Sequence, residues 1–259
     1  MKKLFSISGL AAAAVFAYAG SASAADMPVK APPPVVVPYD WSGLYVGFHE
    51  GYEWGRLQDS YVLFPALSGT STTRQPIAGF HVGLQKQFGG FGWGNVVLGA
   101  EGGLNAPIKA NSFSNFIAAS CGNPAAFTCG LQTVSDNWYA GARGGLAWNW
   151  GGGGWLFGGD YLLTVSGGWT TAIFHREDPA NGTGVLNNGG QTLARHNGAY
   201  VGAGLEHVWA KGNLVDWIGG IDYQHEFYGN QVDIDAAGFG HNLQLDVDII
   251  RFRTTLKFK

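Results

Sequence analysis

The sequence predicts an all-β fold, an eight-stranded antiparallel transmembrane β-barrel of up-and-down topology. Three observations carry that expectation. Apolar residues alternate with small or polar ones in eight segments, the connections alternate between short and long, and aromatic residues gather at both ends of the segments. Composition agrees: 42 glycines and 14% aromatics accompany only 13% charged residues among 259, about half the charged fraction of an ordinary soluble domain. A net charge of −3 without a basic face argues against nucleic acid as the main partner.

Residues 1–24, "MKKLFSISGLAAAAVFAYAGSASA", have a basic start, an apolar middle and a small-residue end at Ala22-Ser23-Ala24. This is the pattern of a secretory signal cleaved before Ala25. The apolar run from Gly9 to Ala19 is shorter than the roughly 20 residues a spanning helix needs. Residues 25–38, "ADMPVKAPPPVVVP", are proline-rich and read as an extended periplasmic tether. The barrel is expected over residues 39–259.

In "SGLYVGFHEGYEW" the even positions Leu44, Val46, Phe48, Tyr52 and Trp54 are apolar, while the odd ones include Gly47, His49, Gly51 and Glu53. The same period recurs with Phe80, Val82 and Leu84, and again with Val96, Leu98, Ala100 and Leu104. The eight strands are expected at 41–56, 77–88, 94–106, 136–149, 155–171, 197–210, 214–229 and 245–258. Most have the length a tilted strand needs to cross a bilayer. Short turns near 89–93, 150–154 and 211–213 oppose long loops over 57–76, 107–135, 172–196 and 230–244, so the short side faces the periplasm. Trp93, Trp148, Trp150, Trp155, Trp209 and Trp217 lie near the short turns, with Trp41 at the start of the first strand. Trp54, Trp138, Trp169 and Tyr228 lie near the long loops, which makes two interfacial girdles. A soluble lipocalin-like barrel would instead face its apolar residues inward.

The lipid-facing phase sends the opposite residues into the lumen. Glu53, Glu101, Glu206, Asp222 and Glu226 are expected inside, opposed by Arg143, Arg251, Arg253 and Lys257. Arg143 and Asp160 flank a four-glycine turn and are expected to meet across the hairpin, at the height of Glu101 and Arg251. The lumen of eight strands is just wide enough for its own side chains, so such charges pair and plug it. An ion path is the alternative reading.

The stretches "YDWSGLYVG", "GFHVGLQKQF", "VLGAEGGL", "WYAGARGGLAW", "VGAGLEHVW" and "RFRTTLKF" are spread in order along nearly the whole mature chain. The chain resembles, through them, the small Gram-negative outer-membrane barrels of the opacity-protein and OmpA-barrel type, the porin-family surface antigens. The chain is read as a monomeric barrel in the cell outer membrane, and the resemblance implies that it supports the envelope and presents its loops to lipopolysaccharide, surfaces or host molecules. It also implies a terminal signal read by the barrel-assembly machinery, carried here by Leu256 and Phe258, although Lys259 follows where the family ends on an aromatic residue. No OmpA-like periplasmic domain is expected. The runner-up function is a low-conductance pore.

No enzyme and no cofactor are expected. Lipid A deacylases of this shape carry a His-x-Ser pair, and none of the seven histidines here is followed by such a serine. Cys121 and Cys129, the only cysteines of an exported chain, read as a loop disulfide, since a metal pair would need compact ligand spacing. His175, His196 and His241 fall in or beside outer loops near Glu177, Asp178, Asp233 and Asp235, and read as solvated loop polarity before a metal or haem site.

Overall fold

In the computed structural model, the described residues are 39–63, 68–91, 94–108, 131–150, 158–180, 185–234 and 240–259. They form eight strands: β1 Gly43–Tyr61, β2 Ser68–Phe91, β3 Gly94–Pro107, β4 Leu131–Trp150, β5 Gly159–Ala180, β6 Val185–Lys211, β7 Val215–Ile234 and β8 Gly240–Phe258. Each pairs antiparallel with the next, and β8 closes onto β1 with Tyr45 opposite Lys257 and Tyr61 opposite His241. Closure leaves no unpaired edge, the condition a sheet must meet to span a membrane. Both ends of the ring, Gly43 and Phe258, lie on one side, hereafter the terminal end. There Gly43, Gly94 and Gly159 open the three strands β1, β3 and β5 at φ of 139°, 140° and 117°, a region where a Cβ is strained.

The outer wall is apolar where the inner wall is polar. Leu44, Phe48, Leu84, Leu98, Val165, Val201 and Phe252 stand exposed outside, while His49, His81, Glu101, Arg143, Glu206 and Arg251 are buried inside. A soluble barrel has the opposite polarity. Glu50 interrupts the outer belt on β1, and nothing in the structure accounts for it. At the terminal end Trp209 lies flat over Gly219, where any Cβ would stand 1.8 Å from its ring.

Toward the far end the polarity reverses. On β8 the outward residues run Phe258, Leu256, Thr254, Phe252 and Ile250, then change to Asp248, Asp246, Gln244 and Asn242. The inward residues change in step, from Lys257, Thr255, Arg253 and Arg251 to Ile249, Val247, Leu245 and Leu243. On β1 the outer face likewise turns from Tyr52 and Trp54 to Arg56 and Gln58, while Leu57 points in. The barrel is thus membrane-like in its lower part and soluble-like in its upper part.

That reversal corrects the loop lengths. Three of the four expected long loops are mostly ladder: β1 and β2 continue pairing to Ser60 opposite Ser68, β5 and β6 to Ala180 opposite Val185, and β7 and β8 to Ile234 opposite Gly240. Polar stretches such as Thr70 to Thr73 form strand without a lipid-facing stripe because this part of the wall carries the soluble polarity. The fourth expected loop, with Cys121 and Cys129, lies outside the described residues apart from its ends. The tether and the segment before it, residues 1–38, also lie outside them, as do Trp93 and Trp155.

Candidate functional site

The inward positions of β3, β4, β6, β7 and β8 bring Glu101, Arg143, Glu206, Asp222, Arg251 and Arg253 into one layer across the lumen. Arg253 donates to both oxygens of Glu101, at 3.0 and 2.6 Å, and lies 3.7 Å from Glu206 and 3.9 Å from Asp222. Arg143 stands 2.6 Å from Glu206 and 3.4 Å from Glu101. Arg251 clasps Asp222 at 2.5 Å and donates to Asn105 Oδ1 at 3.2 Å. The tyrosines complete the layer: Tyr45 donates to Glu101 at 2.9 Å, and Arg251 lies over the ring of Tyr139 at 4.8 Å. Three arginines face three carboxylates, so the layer is neutral, and its side chains are almost wholly buried.

Beside it, hydrogen bonding sets the direction of a histidine chain. His49 Nε2 is 2.8 Å from Asn105 Oδ1, an acceptor, so His49 donates there. Its Nδ1 then accepts from His81 Nδ1 at 3.3 Å, and His81 Nε2 accepts from the Thr255 hydroxyl at 2.8 Å. Both rings are neutral under this assignment, and each of their nitrogens is occupied.

The lumen is stoppered at both ends. At the terminal end, residues 39–42 fold into the bore ahead of β1: Trp41 is 1% exposed, its N–H donates to Gln87 Oε1 at 2.9 Å and its carbonyl accepts from Gln85 at 2.8 Å. Tyr39 packs edge-on against Trp41 and donates to Asp216 at 2.8 Å. Burial, reinforced by the Asp216 carboxylate, pushes the Tyr39 hydroxyl well above the ordinary tyrosine range, so it remains a donor. Lys257 binds the Asp40 and Ser42 carbonyls at 2.5 and 3.2 Å, tying this segment to the last strand. At the far end Leu57, Ile77, Ala172, Leu243, Leu245, Val247 and Ile249 form an apolar cluster with the ring of Tyr228. Level with the lower rungs of this cluster, next to the ion layer, stand two buried carboxylates, Glu53 opposite Ile249 and Glu226 opposite Val247.

Several expected placements change. Asp160 does not meet Arg143. The hairpin pairs Asn149 with Asp160 and Arg143 with Ser166, which separates the two charges by six rungs, about 20 Å along a strand. Asp160 instead holds Lys211 and Asn149, both at 2.7 Å, near the terminal end. The physical reason is the connection, which runs from Trp150 to Gly159 and so centres beyond the four glycines. Glu53 stands apart from the ion layer and accepts from Gln75. Trp41 and Tyr228 leave the girdles for the lumen, whereas Trp138, Trp169, Trp209 and Trp217 stand exposed outside. His175, His196 and His241 lie in strands β5, β6 and β8, and His196 is buried. Leu256 and Phe258 face outward on β8, with Phe258 40% exposed. Among the described residues no three His, Cys, Asp or Glu side chains gather as a metal site.

No protein-family model and no curated protein matches the chain. Solved structures do. Neisserial surface protein A matches at 10% identity over 82% of this chain and 97% of its own, with a TM-score of 0.34. Ail, the attachment invasion locus protein of Yersinia pestis, matches at 11% over 83% and 99%, with a TM-score of 0.38. The outer membrane protease OmpT of Escherichia coli matches at 8% over 85% and 99%, also at 0.38. The architecture stands on the chain's own geometry: a closed ring, an apolar belt and a charged, stoppered bore make it an eight-stranded antiparallel transmembrane β-barrel.

Proposed function

We propose that the chain is an integral outer-membrane protein of the small Gram-negative barrel type, with a structural and surface-interaction role and no enzymatic activity. The observation that carries the reading is the sealed bore. A neutral ion layer between an aromatic stopper and an apolar one fits a barrel that transports nothing and works through its outer surface. The strand extensions beyond the belt serve that role, because they lift a polar wall out of the bilayer where lipopolysaccharide sugars or host molecules meet it. The N-terminal 24 residues direct export, and Leu256 and Phe258 engage the assembly machinery. The conducting alternative gains no support from a lumen whose arginines are all paired.

The orientation is tested by labelling in intact cells, with Cys121→Ser and Cys129→Ser as background. Thr70→Cys, exposed on far-end β2, is expected to react with a membrane-impermeant maleimide. Asn213→Cys, in the turn before β7, is expected to react only after the outer membrane is opened. Labelling of Asn213→Cys in intact cells would overturn the proposed topology.

A further inference from the structure

The carboxylates above the ion layer have no cation of their own. Glu226 accepts from Gln224 at 2.6 Å, Tyr228 at 2.8 Å, Thr170 at 3.3 Å and Asn137, all neutral donors. Glu53 accepts from Gln75, also neutral. Among the described residues, no Lys, Arg or His forms an ion pair with either one. The arginines of the ion layer beneath make their direct ion pairs elsewhere, Arg143, Arg251 and Arg253 with Glu101, Glu206 and Asp222. Burying two anions without a directly paired cation is costly.

A second observation comes from Gln224. Its side chain is 0% exposed and commits its N–H to Glu226, while its Oε1 has no hydrogen-bond partner. The register places it on the rung of Glu53: both residues lie opposite Ile249, one on each side of β8, and Glu226 lies at the next inward position of β7, opposite Val247. A carboxylate and an amide oxygen therefore share one level of the bore, beside a second carboxylate. Oxygens that only accept do not bond one another, and a buried acceptor left unmatched is rare.

We propose that this level binds a hard divalent cation of the Ca2+ class, held by the Glu53 carboxylate and Gln224 Oε1 in the field of Glu226. Two carboxylates balance one divalent ion, and an all-oxygen donor set excludes the soft thiophilic metals. Ca2+ tolerates an irregular shell completed by water. With Leu243 and Leu245 of the apolar stopper above and the arginines below, the ion enters before the barrel closes and exchanges slowly afterwards. The site goes beyond the surface role, and its failure would leave that role untouched.

The test refolds the full mature chain in Ca2+, passes it through metal-free buffer and measures bound calcium by mass spectrometry, beside Glu53→Gln and Glu53→Gln/Glu226→Gln. The wild type is expected to retain about one ion more than either variant, so that weak surface sites cancel. Refolding in chelator is expected to lower the wild-type Tm and to leave the double variant unmoved. Equal calcium in wild type and variants, or a wild-type Tm indifferent to chelator, would overturn the site; stabilisation by acid alone would then assign protons to these carboxylates. If a variant fails to fold, calcium content and chelator response of the wild type still decide.

Discussion

Arg253→Ala is expected to destabilise the barrel by about 3–5 kcal/mol, the cost of leaving a buried ion network short of one partner. Arg253 is the side chain that joins the layer, since it touches Glu101, Glu206 and Asp222. Its removal leaves three carboxylates to two arginines. Denaturant unfolding in lipid vesicles, followed by tryptophan fluorescence, measures the loss. The double variant Glu101→Gln/Arg253→Met keeps the count even, with Arg143 still on Glu206 and Arg251 on Asp222, and is expected to recover most of the stability. A loss below about 0.5 kcal/mol for Arg253→Ala, the range of an ordinary surface change, would mean that water and not side-chain packing fills the bore.

The second large effect is a depth dependence on the outer wall. Val165, 62% exposed, sits on β5 between Tyr161 and Trp169, at the middle of the apolar belt. Val165→Arg is expected to cost about 2–4 kcal/mol, as a cation does at the midplane of a membrane barrel. Gln244→Arg, on the outward face of β8 above the reversal at Ile249 and Ile250, is expected to cost less than about 1 kcal/mol, because that wall stands in water. The same unfolding assay reads both. Equal penalties would place Gln244 in lipid and remove the polarity reversal as the bilayer boundary.

The number of strands, their order and their facing were legible because a period-two pattern over a bilayer has only one inside-out solution. Glu101, Arg143, Glu206, Asp222, Arg251 and Arg253 followed from phase alone. Height was harder, since it depends on where a turn centres: a connection reaching Gly159 moved Asp160 about 20 Å from Arg143. The far-end stopper was hidden for a different reason. Its apolar residues lie on the inner phase, and the signal that announces them is the doubled Ile249-Ile250, where the apolar phase of "NLQLDVDIIRFRTTLKF" shifts by one. A reading tuned to one polarity along the whole strand passes over that step and assigns polar paired strand to loops. Trp41 went inside because its segment precedes the ladder and is free to turn under the barrel, which no periodicity describes.

The claim that the bore is closed is tested most directly by current through single barrels in a planar bilayer. The refolded mature chain is expected to remain silent at moderate voltage, and so is Trp41→Ala, because the arginine layer and the apolar stopper still close the bore. Stable, reproducible openings of the wild type whose size changes in Arg143→Ala would contradict the account, for they would make the paired arginines the wall of an ion path.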